Sequence, residues 1–269
     1  FALPKRYADE GRLTTGLYAM IGGTGEDFEA ISKGGPLLGY GRDFLTVRSV
    51  KLYADGALGS RGAAMHAPYS DQPGNSGLLF NTPDALAAMI GKALGKGYQV
   101  NVHAIGDRAN TDVLDGFAAA YRRHGGQNLR NRVEHAQVLT LADIQRFVAL
   151  DLIASMQPTH ATSDMNMAED RIGAERLQGA YAWQRFLKQG TRLAGGSDFP
   201  VESSNPFFGL HAAGKLKTPD EAVARALYDV TQEVCAHHGL PAYEISNHAR
   251  AGAECQHNLV YWRGDEYAG

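Results

Sequence analysis

GYQVNVHAIGDRAN, residues 97–110, changes its period halfway along. Val100 and Val102 alternate with Asn101 and His103, the period of two that a strand requires. Beyond Ala109 the apolar residues Val113, Leu114, Phe117 and Tyr121 fall on one helical stripe, with Arg122, Arg123 and His124 near its carboxyl end. A strand that passes into a helix within a few residues is a β/α unit. This one carries an imidazole, His103, where a buried strand would end on an apolar side chain.

The same unit recurs on both sides. Candidate strands are residues 13–21, 45–56, 98–106, 131–137, 152–160 and 191–200, with amphipathic helices between them. NTPDALAAMIGKALGKG (81–97) offers Thr82 as N-cap, Pro83 at the first helical position, and Leu86, Met89, Ile90 and Leu94 on one face. TLADIQRFVALD (140–151) and AYAWQRFLKQG (180–190) follow the same scheme. Alternating strands and helices imply an α/β fold with a parallel sheet. A closed (β/α)8 barrel has eight strands and typically about 250 residues. Six strands predict an incomplete TIM barrel without its first two strands; an open doubly wound sheet is the other fold the pattern allows. The chain starts at Phe1 and reads as a fragment.

Composition narrows the class. The 269 residues are 44% hydrophobic and 20% charged, which is ordinary globular material. A net charge of −3 without a basic block argues against nucleic acid or an anionic membrane as partner. No apolar run approaches the roughly 20 residues of a membrane span. The two cysteines, Cys235 and Cys255, form no CxxC and no disulfide framework, so a reducing cytoplasm is the expected compartment.

In a β/α barrel, chemistry gathers at the carboxyl ends of the strands. Those ends carry Lys51 and Asp55, His103, His135, His160 and Asp198. Singly, each has an ordinary reading: a hydrogen-bonded histidine, a turn aspartate, a surface lysine. Together, two histidines and an aspartate at one barrel mouth suit a divalent metal that activates water. Ser49, Lys51 and Tyr53 alternate with Val50 and Leu52, which turns Lys51 inward. A bare ammonium is costly there. A lysine that loses its proton could take up carbon dioxide and become a carbamate, an oxygen ligand able to bridge two metals.

Five ordered motifs now resemble a known family: VKLYADGALGSRGA (50–63), VNVHAIGDRAN (100–110), RVEHAQ (132–137), ASMQPTHATSDM (154–165) and GGSDFPVESSNPFFGLHAA (195–213). They are similar to the amidohydrolase superfamily, and within it to the YtcJ-like amidohydrolases, which include N-substituted formamide deformylases. The resemblance covers about residues 1–213. It implies a distorted TIM barrel that hydrolyses the amide bond of a small molecule with one or two divalent ions, commonly zinc. It implies Lys51 as the carboxylated bridging ligand, His103 and His135 as metal ligands, and Asp198 as ligand and general base. His160 contacts substrate or is a loop histidine, and Asp55 is assigned to substrate binding. Asp107 and Glu134 orient the imidazoles or cap helices. The family's first-strand HxH ligand pair occurs nowhere in this sequence, so the ligand set is incomplete.

Residues 214–269 resemble a different family. YEISNHA (243–249), HNLVYW (257–262) and DEYAG (265–269) are similar to the HemW-type radical SAM proteins, relatives of oxygen-independent coproporphyrinogen oxidase. The CxxxCxxC iron–sulfur motif of those proteins is absent. Thr218 and Pro219 open an expected helix with Val223, Leu227, Val230 and Val234 on its apolar face, and PAYEISNHARAG (241–252) reads as strand and loop. His257, Asn258 and Tyr261 form a haem or metal site or simply pack. The expected organisation is a partial amidohydrolase barrel over 1–213 joined to a HemW-like α+β segment over 214–269: a fusion, a rearrangement or an assembly artefact. Three functions remain open: a metal-dependent amidohydrolase, a HemW-like haem or radical protein, and a non-catalytic remnant.

Overall fold

A computed structural model describes residues 2–214 together with residues 230, 233, 236, 237, 242–244, 247 and 248. The chain divides into two compact units, residues 1–213 and 214–269.

In the first unit, β1 (Leu17–Gly22), β3 (Leu45–Tyr53), β4 (Gln99–Ala104), β5 (Arg132–His135), β6 (Ile153–Met156) and β7 (Leu193–Gly195) lie side by side in that order, all parallel. A short strand, β2 (Leu37–Gly39), pairs antiparallel with β3 at Val47. The six expected strands are all present, shorter than their sequence bounds. Among the described residues β1 and β7 do not pair, so the sheet is open, as an incomplete barrel should be.

Apolar side chains sit where the sheet meets its helices. Val100, Val102, Ala104, Val133 and Ala154 share one core with Leu86, Ile90, Val113, Leu114, Phe117 and Phe147 from the helices Pro83–Gly95, Asp107–His124 and Leu141–Ala149. Thr82 caps the first of these helices through a hydrogen bond from the N–H of Ala85, and Thr140 caps the third through the N–H of Asp143. The helix Trp183–Lys188 contributes Phe186, whose ring meets Phe147 edge to face at 4.8 Å.

One irregularity in β3 matters for the site. The register with β1 slips between Ala19 and Met20, so that Ala19 faces Val47 and Met20 faces Ser49. A bulge of this kind shifts the alternation of every later side chain. Leu45 and Val47 before it and Val50 and Leu52 after it therefore enter the same core. Lys51, one residue out of step, turns to the opposite face.

In the second unit, Ala242–Glu244 pairs antiparallel with Asn247–His248, and Val230 is a helical residue. Glu233, Ala236 and His237 are helical as well; the other residues of the expected Thr218 helix, both cysteines and His257, Asn258 and Tyr261 lie outside the described residues.

Candidate metal centre

The carboxyl ends of the strands enclose a cavity of roughly 500 Å³ whose wall includes Lys51, His103, His135, His160 and Asp198. Lys51 comes from β3, His103 from β4 and His135 from the last position of β5. His160 follows β6 in the short helix Pro158–Ser163, and Asp198 sits in the turn after β7.

His103 and His135 reach the cavity by different routes. His103 lies on the same face of β4 as Gln99 and Asn101, and simple alternation brings it there. His135 pairs in register with Ala104, a core residue, so alternation alone would send it toward the helices. Its backbone instead adopts φ 74°, followed by φ 42° at Ala136. Left-handed backbone at a non-glycine residue costs about 1–2 kcal/mol. Here it ends the strand and turns the imidazole to the cavity.

The rings form a row. His103 and His135 meet at 4.6 Å with planes at 73°, and His135 stacks on His160 at 5.9 Å and 16°. His135 is buried, and its Nδ1 lies 2.7 Å from Oε1 of Gln157. Burial, reinforced first by His103 and to a smaller extent by Lys51 and His160, lowers its pKa to about 3, while the Gln157 hydrogen bond acts in the opposite direction. His135 is thus a neutral imidazole at neutral pH. His160 leaves a buried Nε2 with no partner. The Nε2 of His103 lies 3.4 Å from both the Gly56 carbonyl and Oδ1 of Asp55.

Lys51 is half-buried, its ammonium 4.6 Å from the centre of the Tyr53 ring. Burial pushes its pKa below the ordinary lysine value, while the Glu134 and Asp198 carboxylates pull the other way. Asp198 is exposed and has φ 56°.

The other expected residues sit elsewhere. Asp55 is fully buried and has no face on the cavity. Its carboxylate accepts from the N–H groups of Ala64 (2.9 Å), Ile105 (3.0 Å) and Gly106 (2.8 Å), so it pins the loop after β3 to the end of β4. A carboxylate committed in this way holds the loop and presents no face to the cavity where a substrate would lie. Asp107 accepts from the backbone N–H groups of His66 and Arg108 at 2.8 Å each; it anchors the same loop and touches no imidazole. Glu134 receives both Nε and Nη2 of Arg132, at 2.8 and 2.7 Å, and acts on Lys51 only through its charge.

A second polar group lines the cavity. Oδ2 of Asp164, on the cavity wall, accepts from Gln137 Nε2 at 3.0 Å and from the Tyr181 hydroxyl at 2.7 Å. Burial and the Asp164 charge raise the Tyr181 pKa, so its proton stays in place. Gln137 and Gln157 lie within the motifs RVEHAQ and ASMQPTHATSDM, but like Tyr181 they are uncharged, and nothing in the sequence tells what they bond.

Neutral imidazole nitrogen, carboxylate oxygen and a lysine with a lowered pKa are the donor types that a hard-to-borderline divalent ion accepts. In donor chemistry and shared cavity the residues fit such an ion. Among the described residues, however, no three His, Cys, Asp or Glu side chains lie close enough to hold one as they stand.

Parallel strands alternating with helices in a partly formed barrel define the class: a β/α-barrel protein, with polar side chains gathered at its strand ends. The chain belongs to the amidohydrolase family, whose sequence profile, described as "Amidohydrolase family", matches residues 3–256. That match runs past residue 213, where the sequence motifs end. The chain is 36% identical over 197 residues to the putative amidohydrolase YtcJ of Bacillus subtilis, covering 73% of this chain and 35% of that protein. A shorter match, 38% identity over 69 residues, is to the heme chaperone HemW of the same organism, covering 26% of this chain and 18% of that one. Among solved structures, an uncharacterized metal-dependent hydrolase from Pyrococcus horikoshii superposes with a TM-score of 0.68 at 30% identity, over 85% of this chain and 44% of that one. The chain therefore spans about a third of the length of the curated amidohydrolase it matches.

Proposed function

We propose that this chain carries the larger part of the metal site of an amidohydrolase that cleaves a non-peptide C–N bond in a small-molecule amide. The observation that supports it is the gathering of Lys51, His103, His135, His160 and Asp198 from five separate segments around one cavity. Lys51, His103, His135 and Asp198 would hold a divalent ion, zinc by preference, with Lys51 as its carbamate. When bound, such an ion polarises the amide carbonyl and lowers the pKa of water.

The chain's own residues supply the rest. Asp198 is exposed to the cavity and can take a proton from the attacking water, then return it to the departing amine. His135, held neutral, offers a lone pair. His160, on the wall of the same cavity, would contact the bound substrate. Asp55 and Asp107 hold the loop that roofs the cavity and take no part in the chemistry.

The test is zinc binding by the full chain, followed by hydrolysis of N-formyl and N-acyl amines. Near-stoichiometric zinc, lost in the His103→Ala/His135→Ala double variant, is expected. A chain that takes up no zinc, cobalt or manganese would overturn the reading.

The HemW match favours a second reading for the tail, in which residues 214–269 contribute a haem-binding segment and the chain is a fusion of two families. Haem titration tests it: a Soret shift is expected, and an unchanged haem spectrum would dismiss it.

A further inference from the structure

The histidine that the strand-end backbone turns toward the cavity is also locked from behind. Gln157, just past β6, is buried, as is His135. Its amide is oriented by the groups on both sides. Nε2 donates to the Ser155 carbonyl at 3.3 Å, and a carbonyl can only accept. The amide oxygen must then face His135, 2.7 Å from Nδ1. An amide oxygen can only accept, so Nδ1 has to carry the proton. A neutral imidazole has one N–H, which leaves the lone pair on Nε2.

We infer that Gln157 is a positioning residue that fixes His135 as the Nδ1–H tautomer and so presents the Nε2 lone pair to the cavity. Three features support it. The two side chains come from neighbouring strand ends, so the contact belongs to the sheet and not to a mobile loop. The Gln157 amide makes both contacts at once, so flipping it would set its oxygen against the Ser155 carbonyl. His103 and His160 flank the ring at 4.6 and 5.9 Å and hinder its rotation. The backbone sets where the ring points, and Gln157 sets which nitrogen is available. An outer partner of this kind alters metal affinity by roughly 10–100-fold when removed. The consequence for metal binding rests on the proposed hydrolase site; the tautomer does not.

The test uses the full chain, uniformly 15N-labelled and metal-free at pH 7.5, with long-range 1H–15N correlation of the imidazoles. The His135 signals are assigned by their loss in His135→Gln. Wild type should show protonated Nδ1 and unprotonated Nε2. Gln157→Glu keeps an acceptor and should preserve that pattern. Gln157→Leu removes it and should move the proton to Nε2 or give a mixture. Should Gln157→Leu fail to fold, Gln157→Met serves as the second acceptor-free variant. An Nε2–H tautomer in wild type, or an unchanged Nδ1–H in the acceptor-free variant, overturns the proposal. Zinc competition against a chromophoric chelator is the second readout, with affinity about 10–100-fold weaker in Gln157→Leu and near wild type in Gln157→Glu. A wild-type chain with the stated tautomer but no zinc affinity would refute the hydrolase reading and leave the role of Gln157 standing.

Discussion

Oδ1 of Asp55 accepts the backbone N–H of Ile105 at 3.0 Å, a contact between the end of β3 and the end of β4 across 50 positions of sequence. The other carboxylate oxygen takes the N–H groups of Gly106 and Ala64. Removing the carboxylate leaves three amide donors without this acceptor in a site closed to water. Asp55→Ala should therefore cost on the order of 3 kcal/mol or more. Asp55→Asn should also destabilise, because its NH2 group would face an amide donor. Urea denaturation monitored by circular dichroism measures both, and a midpoint within error of wild type would contradict the anchoring role.

The same junction tolerates no side chain at Gly106. A Cβ there would lie 2.0 Å from the carbonyl oxygen of Ala64, so backbone would have to move. Gly106→Ala should lower stability by about 2 kcal/mol or more. Gly74, whose Cβ would meet nothing within 4 Å, provides the control. Gly74→Ala should stay within about 0.5 kcal/mol of wild type. Thermal melts of the two variants side by side decide the matter.

Acid should destabilise the metal-free chain through His135. Its folded pKa is lowered to about 3, whereas an unfolded histidine titrates near 6.5. Between those values the unfolded chain binds a proton that the folded chain refuses. Stability from this group is complete above about pH 6.5 and falls as pH drops toward 3, by a few kcal/mol in all. His135→Gln should flatten the fall in urea midpoint between pH 7 and pH 4.5. An identical pH slope in the variant would remove His135 as the cause.

Lys51 should react with acetic anhydride at a lower pH than an ordinary lysine, since burial lowers its pKa. Glu134 opposes that shift, so Glu134→Gln should move the reactive midpoint lower still. Mass-spectrometric labelling across a pH series reads the effect on the Lys51 peptide. A midpoint that rises in Glu134→Gln would invert the electrostatics described for this pair.

The path from β3 to β7 shows what was legible beforehand. The six parallel strands, the helices between them and the Thr82 cap follow from periods and caps that span a few residues each. The strand-end residues were also visible, because a histidine or lysine breaks an apolar pattern. Asp55 is visible for the same reason. Its location was readable, and its partners were not, since Ile105 and Gly106 reach it only when two strands lie in register. Gln157 and Tyr181 carry no such signal: both are uncharged, and nothing in the glutamine's own motif tells that it faces His135.

Local sequence determined the β/α order of this protein and the donors at its strand ends, because side-chain period and capping are properties of neighbouring residues. Tertiary structure decided which way those donors face and which groups hold them. The bulge in β3 put Lys51 out of step with Val47, and left-handed backbone turned His135 away from the core face that its register assigned. Hydrogen bonding then committed Asp55 to three amides and set Gln157 behind the imidazole. Each of these depends on groups brought together by sheet pairing, and the free energy that selects them resides in burial and hydrogen bonds between segments distant in the chain.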